Sequence, residues 1–233
     1  QGAGCIFHDG TPKGGCTYCF VDDKSNVGSV GSGKTFLGID ETIDSMLVAK
    51  TKIYENYQNH GFDTNIKVLR ASGGEPTIVL DWVLDLWREV GKRGLNFVGQ
   101  LDSNLSTAKL VDAFEKEGIF EANTLEKLAE YPVKVLTAIK GTDVNNLQTN
   151  IQAETTIEDQ KYSIRRFMTA GFDIYPQMYN PDPKTLEAYL ETMDNFVENI
   201  SLRIHIGPLS LYGPNGRRLE LLAKQKNVDP QLY

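Results

Sequence analysis

The 233-residue chain has no run approaching the roughly 20 apolar residues that a membrane-spanning helix needs, and its opening residues Gln1-Gly2-Ala3-Gly4-Cys5 lack the basic-then-apolar character of an export signal. The expectation is a cytoplasmic protein with no membrane partner. Position 1 is Gln rather than Met, so residues ahead of it are expected. Positive charge is also in short supply: 24 Lys and Arg face 31 Asp and Glu, a net charge of −7. That balance argues against nucleic acid or anionic lipid as a partner, although Arg217-Arg218 forms a local basic pair. Internal repeats, low-complexity tracts and dividing linkers are absent. One domain over residues 1–233 is expected, and 40% hydrophobic with 24% charged residues suffices for a buried core.

Cysteine is the scarcity that carries most information. The chain has three, Cys5, Cys16 and Cys19. An odd number, with two thiols in a C-x-x-C pair, does not fit a secreted disulfide framework and favours metal or redox use in a reducing compartment. Three thiolates hold three irons of a four-iron cluster and leave the fourth open to an outside ligand. Zinc fits less well, because a closed structural site wants four ligands and only His8 lies nearby.

Apolar runs with strand character alternate with amphipathic helical stretches. Strands are expected at residues 66–70, 95–101, 133–139, 172–175 and 202–206, with a further one near Cys5. Helices are expected at 41–59, 80–92, 107–117, 157–169 and 184–198, the first capped by Asp40. Repeated β-then-α order predicts an α/β fold with parallel strands, and six units are too few to close an eight-stranded barrel. The expectation is an open partial (β/α)6 TIM-like barrel with a lateral mouth, its functional residues gathered after the strands.

Two motifs sit in that frame. Cys16-Thr17-Tyr18-Cys19-Phe20 is a C-x-aromatic-C run followed by a second aromatic, and Ser72-Gly73-Gly74-Glu75-Pro76 follows an apolar strand. Together, and in this order, they resemble the radical S-adenosylmethionine (radical SAM) superfamily, over most of the chain. The departure is the spacing, since Cys5 precedes Cys16 with ten residues between them. A loop containing Gly10, Gly14 and Gly15 can bring Cys5 to the same cluster; the alternative is a structural thiol at Cys5.

The resemblance implies a [4Fe-4S] cluster on Cys5, Cys16 and Cys19 whose open iron binds S-adenosyl-L-methionine. Reductive cleavage would give a 5′-deoxyadenosyl radical that abstracts hydrogen from substrate, so the enzyme would be oxygen-sensitive. It places Gly73, Gly74 and Glu75 along the methionine end of the cofactor, and Tyr18, in the cluster motif, against the cofactor as well. Asn104, after the third strand, would bond the ribose or methionine, or else cap a helix. Lys140, ending a strand before Gly141, would reach the cofactor carboxylate. Gln177, Tyr179 and His205 are candidates to face the interior, and Met178 to pack. A one-electron reductant of the ferredoxin or flavodoxin type is implied, with a small-molecule or protein substrate of the activase-like kind. Arg165, Arg166, Arg203, Arg217 and Arg218 are candidates for an anionic substrate or for plain solvation. The segment 209–214 would close the mouth or dock a partner.

Two rival readings come from other classes. Gly28-Ser29-Val30-Gly31-Ser32-Gly33-Lys34-Thr35 satisfies the P-loop pattern, with Asp102 as the best magnesium-binding carboxylate. A nucleotide site also needs a preceding apolar strand and a helix starting at the lysine, and the residues around the loop provide neither. A non-catalytic iron–sulfur carrier would need His8 or Asp9 as a fourth ligand and would leave the glycine motif without a purpose.

Overall fold

The computed structural model describes residues 4–8, 14–22, 26, 37–63, 65–207, 209–210, 213–227 and 229. Five strands form one parallel sheet in sequential order: β2 (Val68–Ala71), β3 (Val98–Ser103), β4 (Val133–Ile139), β6 (Ile174–Met178) and β7 (His205–Ile206). A separate two-stranded antiparallel pair joins β1 (Gly15–Cys16) to β5 (Ile151–Gln152). The expected open parallel α/β architecture is present. Among the described residues the further strand expected near Cys5 is not: residues 4–8 form a turn closed by the His8 N–H on the Cys5 carbonyl at 3.0 Å.

The helices are α1 (Ile39–Asn59), α2 (Leu80–Lys92), α3 (Ala108–Glu117), α4 (Thr124–Ala129), α5 (Val144–Asn150), α6 (Ile157–Thr169), α7 (Pro183–Phe196) and α8 (Gly213–Lys226). A 3-10 turn over Pro76–Val79 leads into α2. Their starts follow from local chemistry. Thr156 accepts from the Asp159 N–H at 3.0 Å at the head of α6, and Asp182 accepts from the Lys184 N–H at 2.9 Å, with Pro183 opening α7. At α1 the cap is Gly38 rather than Asp40: the Glu41 carboxylate accepts from the Gly38 N–H at 3.0 Å, while Asp40 pairs with Arg93.

Alternation along the strands gives the sheet two unlike faces. Leu101, Ser103, Val133, Val135, Thr137, Ile139, Ile174 and Met178 are buried, most of them in the main core, whereas their neighbours are half-exposed or exposed. Helix α2 contributes Leu80, Val83, Leu84, Leu86, Trp87 and Val90 to that core, each burial adding about 1.5–3 kcal/mol for a large side chain. Trp87 lies so close over Gly99 that a Cβ there would stand 2.3 Å from the ring. Met178 packs fully buried, as its sequence position suggests. Helix α1 buries only Ile43 and is otherwise a mostly exposed flank.

Candidate functional site

The three cysteines are free thiols brought together at the carboxyl edge of the sheet from three local structures. Cys5 belongs to the 4–8 turn, and Gly4 before it accepts from the Glu75 N–H at 2.7 Å. Cys16 lies in β1 opposite Ile151, and the Thr17 N–H donates to the Asn150 carbonyl at 2.9 Å. Cys19 follows through a turn in which its N–H donates to the Cys16 carbonyl at 3.0 Å. Phe7, Cys16, Tyr18, Leu147 and Ile151 form a second apolar cluster, with Cys5 and Cys19 packed against it.

Two asparagines supply donors to the sulfurs. Asn104 Nδ2 donates to Cys5 Sγ at 3.4 Å, and Asn26 Nδ2 donates to Cys19 Sγ at 3.6 Å. The Asn26 carbonyl also accepts from the Cys5 N–H at 3.0 Å, so this residue links the first and third cysteines. Sequence reading missed Asn26, because nothing in a lone asparagine between turn-like residues announces a sulfur partner. Asn104 does not cap a helix, since α3 begins at Ala108 after Thr107. It is aimed by a strained turn. Leu105 holds φ at 62°, an uncommon conformation for leucine, fixed by complete burial and by a Ser163 hydroxyl on its carbonyl at 2.9 Å.

Lys140 directly follows β4 with its backbone locked: its N–H donates to Gln160 Oε1 at 2.7 Å and its carbonyl accepts from Asn150 Nδ2 at 2.9 Å. The side chain is buried, and its ammonium lies 5.5 Å from the Tyr18 ring centroid. Burial works to lower this lysine, but Cys16, Tyr18, Cys19 and Cys5 outweigh it and hold the ammonium above its ordinary range. Burial likewise pushes the Cys5 thiol up to about 12, with the charge of Cys16 adding to it. The Tyr18 hydroxyl is buried without a hydrogen-bond partner, and its ring stands 6.0 Å from that of Tyr179.

The glycine motif is tied to this site through its backbone. Gly73 adopts φ of 84°, and a Cβ on Gly74 would stand 2.3 Å from the Gly4 carbonyl oxygen. Glu75 is held within the protein. Its buried carboxylate accepts from the Asn104 N–H at 2.6 Å and from the Thr77 hydroxyl at 2.6 Å, and it caps the 3-10 turn. Burial raises this carboxyl, opposed by those hydrogen bonds. Glu75 therefore splices the loops after β2 and β3.

Register places Ala138, Gln177 and His205 side by side on the more open face of the sheet. Tyr179 donates to Gln177 Oε1 there, and Asp102 receives Arg70 at 2.6 Å and Gln100 at 2.8 Å. Asp102 is thus engaged by a guanidinium, and α1 begins at Ile39 after non-helical Leu37 and Gly38, not at Lys34. The P-loop-like residues 28–35 lie outside the described residues. Asp9 does too. Among the arginines, Arg166 pairs with Asp112 and Glu126, Arg203 pairs with Asp173, and Arg165 stacks on Phe196. Arg218 is buried rather than solvated, and of the 209–214 tail, residues 213–214 open α8.

A cavity of about 610 Å³ opens between α1, α2 and β2, lined by Met46, Leu69, Trp82, Trp87 and the glycine loop, among others. None of the cysteines, Asn104 or Lys140 lines it, so it does not coincide with the sulfur site. Among the described residues, no three His, Cys, Asp or Glu side chains converge as ligands of a single metal ion. A four-iron cube makes a different demand, one thiolate on each of three irons.

The fold and the gathered thiols define an open parallel α/β scaffold with a sulfur-rich site at its carboxyl edge. The same fold occurs in spore photoproduct lyase in complex with dinucleoside spore photoproduct, at TM-score 0.58 and 10% identity over 97% of this chain and 60% of that one. It occurs also in OxsB, a cobalamin-dependent S-adenosylmethionine radical enzyme, at TM-score 0.58 and 11% identity over 97% of this chain and 35% of that one. A lyase variant solved with S-adenosylmethionine bound matches at TM-score 0.55 and 10% identity over 92% of this chain and 58% of that one. The chain thus spans less than two thirds of each of these proteins. No protein-family model and no curated relative matches it. Among the described residues no helix is long and apolar enough to cross a membrane.

Proposed function

We propose that the chain is a radical SAM enzyme in which Cys5, Cys16 and Cys19 hold three irons of a [4Fe-4S] cluster. The observation that carries this reading is the packing of the free thiols Cys5 and Cys19 against the apolar cluster that holds Cys16 and Tyr18, beside a glycine loop bonded to the residue before Cys5. The donor set fits: three soft sulfur ligands, amide donors to two of them, a buried ammonium and a buried phenol without a partner. When bound, such a cluster would supply the one electron needed for reductive cleavage of S-adenosylmethionine, and with it the chemistry of hydrogen abstraction from substrate.

The chain's own residues bind, orient and shield. Asn104 and Asn26 hold the Cys5 and Cys19 sulfurs by N–H donation and so tune how readily an electron is accepted. Lys140, kept protonated, offsets the negative charge of the thiolates and binds a carboxylate. The Tyr18 hydroxyl offers the cofactor a donor. Gly73 and Gly74 allow close backbone approach while Glu75 fixes the loop to Asn104. Apolar packing of Phe7, Leu147 and Ile151 behind Cys16 excludes water from that side. Substrate, a small molecule or a protein, meets the open sheet face carrying Asp102, Gln177 and His205, and a ferredoxin- or flavodoxin-type protein supplies the electron.

The test is anaerobic reconstitution with iron and sulfide, then electron paramagnetic resonance of the reduced protein. A four-iron signal that changes when S-adenosylmethionine is added supports the reading. A signal indifferent to the cofactor contradicts it.

A further inference from the structure

The far end of the chain grips the spacer between the first two cysteines. Arg218 in α8 is 5% exposed, and its guanidinium donates to the Gly14 carbonyl at 2.9 Å and to His8 Nε2 at 2.7 Å. His8 follows Cys5 by three residues and Gly14 precedes Cys16 by two. One side chain therefore bridges the two shoulders of the unusually long spacer. A second observation points the same way. Gly15 holds φ of 81°, and a Cβ there would stand 3.1 Å from the His8 ring, so His8 packs on Gly15 as well as meeting Arg218. The helix that presents Arg218 is itself anchored, with Leu219, Leu222 and Ala223 buried and Asn215 donating to the Ser210 carbonyl at 2.8 Å.

We propose that Arg218 is a positioning residue that holds His8 and Gly14 together, so that Cys5 and Cys16 face one cluster despite the ten residues between them. This inference rests on the cluster-holding role of those thiols. Closing a loop costs entropy that grows with its length, and a cross-link between positions 8 and 14 shortens the path that must be closed. A buried guanidinium suits the task because its planar fork reaches two acceptors at once, which an ammonium does not do as rigidly.

The experiment compares the wild type with Arg218→Gln, Arg218→Lys and His8→Ala. Far-UV circular dichroism checks folding, and iron and sulfide per chain are counted after a chelator challenge of reconstituted protein. A cluster-free readout accompanies it: in a Cys19→Ser background, equilibrium with glutathione measures the effective concentration of Cys5 at Cys16. Arg218→Gln is expected to lower both cluster retention and effective concentration about tenfold, the loss of roughly one charge-assisted hydrogen bond. Arg218→Lys should fall between. If Arg218→Gln does not fold, His8→Ala, which removes one acceptor alone, should show a smaller loss in the same direction. Folded variants that match the wild type in both readouts overturn the inference. A wild type that holds no cluster, with effective concentration still dependent on Arg218, overturns the cofactor reading instead and leaves the positioning role standing.

Discussion

The backbone N–H of Glu75 donates to the carbonyl of Gly4 at 2.7 Å, joining the loop after β2 to the residue that precedes the first cysteine. Through this bond the glycine motif and the cysteine motif become one structure. The Glu75 carboxylate extends the link to the Asn104 N–H, and Asn104 returns to Cys5 through its side chain. Four residues thus close a circuit around one thiol.

Gly74→Ala should break that circuit, because the new methyl would meet the Gly4 carbonyl oxygen at 2.3 Å and neither backbone can yield easily. A destabilisation of about 1–3 kcal/mol is expected, as for overpacking elsewhere, with iron loading reduced alongside. Gly73→Ala meets the cost of φ at 84°, about 1–2 kcal/mol. Urea unfolding of the two variants, with iron counts, checks the contrast.

Asn104→Ala removes an N–H donor from the Cys5 sulfur. Hydrogen bonds to cluster sulfurs favour the more negative, reduced state, so the midpoint potential of the reconstituted cluster should fall. A redox titration followed by electron paramagnetic resonance measures it, and an unchanged potential would remove Asn104 from the account.

Lys140→Gln keeps the size of the side chain but removes the buried charge. Cluster assembly should survive, since the thiols remain, while the dissociation constant for S-adenosylmethionine should rise tenfold or more, about 1.4 kcal/mol. Equilibrium dialysis of reconstituted protein reads this directly.

Asp173 gathers Arg203, Tyr175 and Lys134, and the Arg203 hydrogen bond leads in holding its carboxyl at about 2 against an ordinary 3.8. A depressed carboxyl contributes stability that is complete above the unfolded value and is lost as pH falls through the folded one. Asp173→Asn should therefore destabilise the protein modestly at neutral pH, about 1 kcal/mol for so exposed a group, and the difference should vanish between roughly pH 4 and pH 2. Thermal melts of both proteins across that range check the sign.

Much of the scaffold was legible from the sequence because it rests on local periodicity. Helix α2, helix α6 and strand β4 have the bounds that their apolar spacing predicts. Helix α4 is six residues and β5 only two, too short for any period to register, and β5 exists because Ile151 pairs with Cys16 far upstream. Helix α8 opens on Gly-Pro-Asn-Gly, which reads as a turn. At the site, the scarcity of cysteine and the C-x-x-C pair pointed to Cys5, Cys16 and Cys19, and the family resemblance pointed to Lys140 and Asn104. The roles of Asn26, Glu75 and Arg218 depend on partners distant along the chain or on backbone atoms, which carry no signature in the sequence.

The most direct measurement is 5′-deoxyadenosine formation. The reconstituted protein is reduced anaerobically with dithionite in the presence of S-adenosylmethionine, beside Cys5→Ala, Cys16→Ala and Cys19→Ala. The account predicts 5′-deoxyadenosine and methionine from the wild type and neither from any of the three variants. No product from a wild type that holds four irons, or a fully active Cys5→Ala protein, would contradict it.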